Sequence, residues 1–269
     1  MHIAIRHCTT YRYEEPVSYS VQSLRLSPPP FDGQRIIDWV IDAPGIDAAA
    51  TFLDGFGNRV HLITVDERHQ EITIDVSGKV ETSDTSGLLQ GLDERAPLAV
   101  YLRETELTRS DAAIEALAQE AKGEDVDRLH DLMRLVSQAI EYQPGDTDAS
   151  TPAAAALARG RGVCQDQTHV FIAAARRLGI PARYVSGYLW ATESAPLDAQ
   201  HAWVEAHCEH LGWVGFDVTN GICPDPHYVR VACGLDYRYA APVKGSRKGG
   251  GREALDVEVL VGAAQMQQQ

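Results

Sequence analysis

Three residues of this chain, Cys164, His201 and Asp217, combine reactive side chains with distinctive local settings. Cys164 follows the glycine-containing segment 160–162 and precedes residues 168–178, whose composition predicts a helix. A sulfur at a helix N-terminus lies near unpaired backbone N–H groups, which favour a thiolate. His201 and Asp217 each lie in an alternating, aromatic-rich segment that predicts a strand. Together they fit nucleophilic acyl transfer.

This chemistry assigns a separate role to each group. His201 would take the proton of the Cys164 thiol, and Asp217 would orient the imidazole and stabilise its charge. The thiolate would attack an amide carbonyl and leave a thioester, which water hydrolyses or an amine converts to a new amide. The backbone N–H of Cys164 is one predicted oxyanion donor. Gln165 is a weak candidate for the second donor, because a bond to a loop backbone is the favoured explanation for this residue.

Each of these residues also has a structural interpretation. A single cysteine on a helix is often a small buried apolar residue, and a single histidine on a strand is often only hydrogen-bonded. The coincidence of three such settings favours catalysis over a catalytically silent binding scaffold.

Further candidate residues each have two possible roles, one at the site and one in the core. Asp166 and His169 would tune the site or tie loops to the helix, and Trp203, Trp213 and Tyr188 would line a substrate cleft or pack in the core.

The ordered motifs resemble the bacterial transglutaminase-like cysteine peptidases. The resemblance is carried by Gly162–Asp166 with His169, by Gly179–Tyr188, by His201–Glu205, and by Gly212–Asp217 with Thr219–Gly221. It implies a papain-like core in which a helix bearing the cysteine packs on an antiparallel sheet bearing the histidine and aspartate. It also implies a cysteine peptidase or amidase that acts on a peptide or protein amide without a cofactor, with transamidation as the alternative. One departure is Val218, where the family usually has proline, and this predicts a looser turn after Asp217.

The elements that position these residues fall into two parts, so the expected fold class is α+β. Residues 1–85 alternate apolar and polar residues and predict an antiparallel, sandwich-like β-domain that looks like the N-terminal domain of the bacterial family members. Residues 86–269 change to helical periodicity and then to strands, which predicts the catalytic core. The end of the chain, residues 262–269, is small and glutamine-rich, and we expect a mobile tail.

Composition limits the classes of partner. With 24 basic and 38 acidic residues the net charge is −14, which argues against nucleic acid and against an anionic membrane surface. The sequence has no apolar run long enough to span a membrane. Five widely spaced cysteines do not form a disulfide framework, so we expect a cytoplasmic protein with a free Cys164. The sequence does not predict an oligomeric state.

Two other motifs favour different chemistry, and the sequence supports both only weakly. The segment His207–His210, with Cys223 and Cys233 downstream, offers potential zinc ligands, but it lacks the usual ligand spacing, so we expect no metal site. The glycine-rich run Lys244–Gly251 has the composition of a phosphate-binding loop. It lacks the Gly-Lys-Ser/Thr ending and the strand–loop–helix setting, so we expect a mobile surface loop.

Overall fold

A computed structural model describes residues 1–190 and 200–264 and shows a mixed α/β fold with two main antiparallel sheets. Residues 191–199 and 265–269 lie outside the described part, and so does most of the predicted mobile tail. The described helices are α1 (Ala112–Glu120), α2 (Asp125–Ala139), α3 (Ala153–Arg159), α4 (Cys164–Arg177) and the short α5 (Tyr237–Ala240).

The first sheet is built around one long strand. Its strands are β1 (His2–Ser27), β2 (Gln34–Asp42), β3 (Ala50–Leu53), β4 (Arg59–Val65) and β5 (His69–Thr82), in the order β2-β5-β1-β4-β3. The alternation of apolar residues along β1 buries Ile3 and Ile5 near its start and Leu24 and Leu26 near its end, in two different core clusters. The first half of β1 pairs with β5 and the second half with β4, so the strand links both sides of the sheet.

The C-terminal strands complete this first sheet. β13 (Val243–Gly249) pairs with the second half of β1, and β14 (Glu253–Ala263) pairs with the first half, from Tyr13 back to Ile3. The expectation of a surface loop over Lys244–Gly251 is therefore wrong, because most of the run is a strand. Residues Gly262 and Ala263, expected in the tail, also belong to β14. The last part of residues 86–269 thus joins the N-terminal sheet, in contrast to the predicted division.

The second sheet carries the candidate site. Its strands are β6 (Leu88–Leu89), β9 (Ala182–Leu189), β10 (Gln200–Cys208), β11 (Gly212–Phe216) and β12 (Tyr228–Gly234), in the order β12-β9-β10-β11-β6. A separate parallel pair joins β7 (Glu141–Tyr142) to β8 (Arg161–Gly162) and thereby fixes the segment just before α4.

Helix α4 is the central element of this part of the molecule. Val170, Phe171 and Ile172 are completely buried and belong to one core cluster with Val204 and Phe216 of the second sheet. Helices α1, α2 and α3 all contact α4. A helix buried on most of its surface is held rigidly, so its first residue, Cys164, has a well-defined position.

Candidate active site

The start of α4 is fixed by a buried carboxylate. Asp166 is 1% exposed, and its Oδ2 accepts hydrogen bonds from the backbone N–H of Val163 at 2.8 Å and from the hydroxyl of Thr147 at 2.6 Å. The backbone N–H of Asp166 in turn donates to the carbonyl oxygen of Val163 at 2.9 Å, and this reciprocal contact closes the first turn, in which an acidic side chain also complements the helix dipole. Cys164, the first residue of the helix, is half-buried and lines a cleft.

His201 and Asp217 lie against each other at the same end of the second sheet. His201 is the second residue of β10, and Asp217 directly follows β11, the neighbouring strand. The imidazole Nε2 is 2.7 Å from Oδ2 of Asp217, and the side chains are 8% and 0% exposed. Cys164 and His201 line the same cleft, and interactions with Cys164 are among the causes that raise the pKa of His201. Since Nε2 faces Asp217, Nδ1 remains for the sulfur, and the three predicted catalytic residues are brought together.

Asp217 accepts several further hydrogen bonds, including two from side chains that the sequence analysis did not assign to the site. The hydroxyl of Tyr228 and the amide of Asn220 each donate to Oδ2 at 2.6 Å. The backbone N–H groups of Thr219 and Asn220 bond to Oδ1 at 3.0 and 3.3 Å. The turn after Asp217 is therefore well held although Val218 replaces the usual proline. Asn220 belonged to a quoted motif, but the sequence contained no signal for Tyr228.

The pKa values in this cluster follow from opposed effects. Burial lowers the pKa of His201, but the hydrogen bonds and negative charges of Asp217 and Cys164 outweigh burial and raise it to about 10. Burial raises the pKa of Asp217, but His201, Tyr228 and Asn220 outweigh burial and hold it below its usual value. The site therefore favours an imidazolium beside a carboxylate, which is the charge state needed to stabilise a neighbouring thiolate.

The cleft at Cys164 has a volume of about 580 Å³ and walls from both sheets. The catalytic part contributes Cys164, Gln165 and His201. The opposite part includes Val257 and Val259 of β14, which belongs to the first sheet. A cleft of this volume is in the usual range for a ligand site. Gln165 lines this cleft, and its predicted role as an oxyanion donor stays a prediction.

Asp166 and His169 lie behind the cysteine rather than in the cleft. Asp166 forms the helix-start contacts described above, and burial raises its pKa. His169 is fully buried, contacts the ring of Tyr184 in a tilted arrangement with a 5.2 Å centroid distance, and accepts a hydrogen bond at Nε2 from the backbone N–H of Tyr237. Burial, with the charges of Arg176 and Arg238, lowers the pKa of His169 to about 3, so its ring is neutral. Both side chains tie surrounding elements to α4.

The three predicted cleft residues lie elsewhere. Trp203 is 3% exposed and contacts the rings of both His201 and Tyr228, so it packs beside the imidazole in the core. Trp213 lies under the guanidinium of Arg183 at 3.9 Å, in a separate core cluster. Tyr188 bonds through its hydroxyl to Nδ1 of His7 at 2.8 Å, where the two sheets meet. None of the three lines the cleft at Cys164, so their assignment to it is corrected.

Within residues 1–190 and 200–264, no group of three or more histidine, cysteine, aspartate or glutamate side chains is arranged to hold a metal ion. All five cysteines are free thiols. No helix in the described part is both long enough and apolar enough to cross a bilayer.

Two family models match the chain. The model for the bacterial transglutaminase-like N-terminal region matches residues 3–81, which correspond to β1–β5. The model for the transglutaminase-like superfamily matches residues 113–218, which include Cys164, His201 and Asp217. The two matches thus follow the two sheets in order.

Similar proteins extend over almost the whole chain. An uncharacterized protein of Mycobacterium leprae is 31% identical over 270 residues and covers 95% of this chain and 96% of its own length. An uncharacterized protein of Mycobacterium tuberculosis is 31% identical and covers 90% and 86%. A crystal structure from Cytophaga hutchinsonii, provisionally described as a cysteine protease, has a TM-score of 0.78 at 22% identity and covers 100% of this chain and 92% of its own. This last similarity concerns the fold.

Proposed function

Since this chain belongs to the transglutaminase-like superfamily, we propose that it is a thiol-dependent enzyme that hydrolyses amide bonds through Cys164, His201 and Asp217. The observation that carries the proposal is the placement of His201, which contacts the carboxylate of Asp217 at 2.7 Å and lines the same cleft as Cys164, the first residue of α4. Nucleophile, base and orienting group are thereby ordered as acyl transfer requires.

The reaction follows from these contacts. The imidazole accepts the thiol proton, and the thiolate attacks the amide carbonyl carbon. The carbonyl oxygen takes up the negative charge, and the backbone N–H of Cys164, with Gln165 as the proposed second donor, lies at the helix start to stabilise it. The imidazolium then protonates the leaving amine, and the C–N bond breaks. Water, deprotonated by the imidazole, attacks the thioester and releases the carboxylic acid and the thiol.

The hydrogen-bonded shell of Asp217 supports this assignment. Asp217 must remain ionised while it is buried, and four donors besides His201 favour the ionised form. With the carboxylate held in place, the imidazolium is stabilised at the moment when the thiolate forms. A silent scaffold has no use for a buried carboxylate and imidazole that require so many partners.

We propose a peptide or protein amide as the substrate and water as the acyl acceptor. The cleft at Cys164 is open enough to admit solvent, and water is present at a far higher concentration than any amine. The chemistry uses only the three side chains, so no cofactor is needed. We also propose a cytoplasmic location, because a reducing compartment keeps the five free thiols, including Cys164, reduced.

The test is turnover of a peptide library in ¹⁸O-labelled water with mass spectrometric detection. We expect products whose new carboxyl group carries ¹⁸O, and no product with the Cys164→Ala variant. Adding millimolar methylamine separates hydrolysis from transamidation, because an amide adduct in place of the labelled acid would identify an amine acceptor. If the wild-type protein forms neither product while Cys164→Ala stays folded, the proposed function is wrong.

A further inference from the structure

A second cavity lies next to the cleft at Cys164. This cavity has a volume of about 370 Å³ and lies inside the first sheet between β13, β14 and β1. Tyr237 lines both cavities. Strand β14 also contributes to both, with Val257 in the first cavity and Leu255 in the second. We call the two neighbouring cavities together the β14 groove, and the second cavity, whose lining does not include Cys164, is its far end.

The β14 groove has the length of a short extended peptide. Glu253, Leu255, Val257 and Val259 alternate along β14 and share one face. Six residue steps of a strand span roughly 20 Å, which is the length of about six residues of an extended substrate. Leu255 and Val257 are 56% and 42% exposed, so the apolar part of this wall is free to contact a ligand.

At the far end of the groove lies an amide whose oxygen has no partner. The side-chain oxygen of Gln22 is buried and accepts no hydrogen bond in the part of the chain that the structure describes, although Gln22 is only 5% exposed. Such an oxygen costs free energy unless something bonds to it. Gln34 of β2 provides the contrast. It is 2% exposed, donates to the carbonyls of Pro29 and Arg230, and accepts from the N–H of Arg230.

The charges at the far end argue against an ionic ligand. Arg247 is paired with Glu253 at 3.1 Å and donates to the carbonyl oxygens of Gly249 and Gly251, so its guanidinium is already bonded. Its charge also lies over the ring of Tyr13, with 5.0 Å to the centroid. With the cation and the carboxylate neutralising each other, the unused group is the uncharged Gln22 amide. The Gln22 carboxamide has an acceptor oxygen and N–H donors. A backbone amide has the complementary donor and acceptor, so it is a well-matched partner.

We propose that the β14 groove binds the substrate as an extended polypeptide and that Gln22 bonds to one of its backbone amides, several residues from the bond that is cleaved. This inference rests on the proposed function for the identity of the cleaved bond. It names the substrate class, an extended peptide of about six residues rather than a small amide. It also makes the first sheet, including β13 and β14, part of the substrate-binding surface.

The test measures peptide binding to the inactive Cys164→Ala protein, so it does not depend on turnover. Fluorescent, uncharged peptides of two, four, six and eight residues, alternating valine and serine, are titrated by anisotropy. The Kd should fall by roughly tenfold from two to six residues and then level, because no groove remains to be filled. Gln22→Met, which keeps the shape, should weaken binding of the six-residue peptide by about three- to tenfold and leave the two-residue peptide unchanged.

Gln34→Met is the matched control. It removes three buried hydrogen bonds, so it should lower the melting temperature and leave the peptide Kd unchanged, whereas Gln22→Met should leave the melting temperature unchanged. A Kd independent of peptide length, or unaffected by Gln22→Met, would overturn the inference. So would a large loss of stability in Gln22→Met, because the amide would then serve the fold. If the protein binds these peptides but the wild type never turns over a substrate, the proposed function is refuted, whereas the inference that the β14 groove binds an extended peptide still holds.

Discussion

Two histidines of the core, His201 and His169, are buried in neighbouring regions and have opposite charge states. The imidazole of His201 lies at the cleft between a carboxylate and a thiol, and these partners raise its pKa to about 10. His169 lies inside the helix–sheet packing, where burial and the cations Arg176 and Arg238 lower its pKa to about 3. Although both side chains are buried, the pKa shifts of the two histidines have opposite signs, because His201 has a negatively charged partner and His169 faces cations.

The contrast separates a group that can do chemistry from a group that holds the fold. A protonated imidazole can stabilise a thiolate and later give up its proton, and His201 reaches the cleft where a substrate would bind. A neutral, fully enclosed imidazole has neither access nor a proton to transfer at neutral pH, and His169 is used as a hydrogen-bond acceptor for Tyr237. Both residues belong to motifs that carry the family resemblance, so membership of such a motif does not by itself distinguish the two roles.

The largest expected effect concerns whether His201 and Cys164 act as a unit. Cys164→Ala and His201→Ala should each lower kcat by a factor on the order of 10⁵ or more, and the double variant should lose little beyond either one. The reason is that the thiolate does not form without the base, and the base has no function without the thiol. Single-turnover rates of the four proteins measure this. Losses that multiply in the double variant would contradict a shared mechanism.

A smaller effect is expected at the hydrogen bond that holds Asp217 in place. Tyr228→Phe removes a 2.6 Å bond to the carboxylate but leaves Asn220 and the backbone donors, so kcat/KM should fall by about three- to tenfold. Tyr188→Phe is the control, because the Tyr188 hydroxyl bonds to His7 rather than to Asp217. It should reduce the melting temperature slightly and leave kcat/KM within about twofold. Equal losses of activity in both variants would argue against a specific role for Tyr228.

The smallest effects are expected in the pH dependence of stability, with opposite signs for the two histidines. The folded pKa of His201 is above its unfolded value of about 6.5. Its contribution to the free energy of unfolding is therefore complete below pH 6.5 and is lost as the pH rises through about 10. The folded pKa of His169 is depressed. Its contribution to the free energy of unfolding is therefore complete above pH 6.5 and is lost as the pH falls toward 3.

Denaturant unfolding of wild type, His201→Gln and His169→Phe between pH 4 and pH 10 measures these contributions. The free-energy difference between wild type and His201→Gln should shrink from pH 6.5 to pH 10. His169→Phe should lose less stability than wild type between pH 6.5 and pH 4, because it has no buried imidazole to protonate on unfolding. The same slope for both variants would show that the two rings share one environment, against the structure.

Much of the site could be predicted from sequence because it depends on local patterns. The glycines and the following apolar run place Cys164 at a helix start, and alternation places His201 on a strand. Asp217 was expected in a strand and lies directly after one, held by a bridge to Ile222. These features need only neighbouring residues. The family resemblance added the order of the motifs and the fold around them.

The errors concern contacts between distant parts of the chain. Alternation identifies the residues that share a face of a sheet but not the element that covers them, so Trp213 and Tyr188 were placed in the cleft although other residues enclose them. The pairing of β14 with β1 joins residues about 250 positions apart, and no local pattern indicates such a pairing. The glycines and polar residues of Lys244–Gly251 favour a loop locally, and tertiary pairing overrides that preference.

The most direct test of the central claim is the alkylation rate of each cysteine as a function of pH. In the wild type, iodoacetamide at pH 5.5 should modify Cys164 ahead of the other four cysteines, because His201 supports its thiolate. Burial, together with Asp125, raises the pKa of Cys208 to about 12, and burial raises the pKa of Cys223, so both should remain unmodified. His201→Ala should slow Cys164 by roughly tenfold or more at pH 5.5. Uniform modification of the five cysteines, or a Cys164 rate unchanged by His201→Ala, would contradict the account.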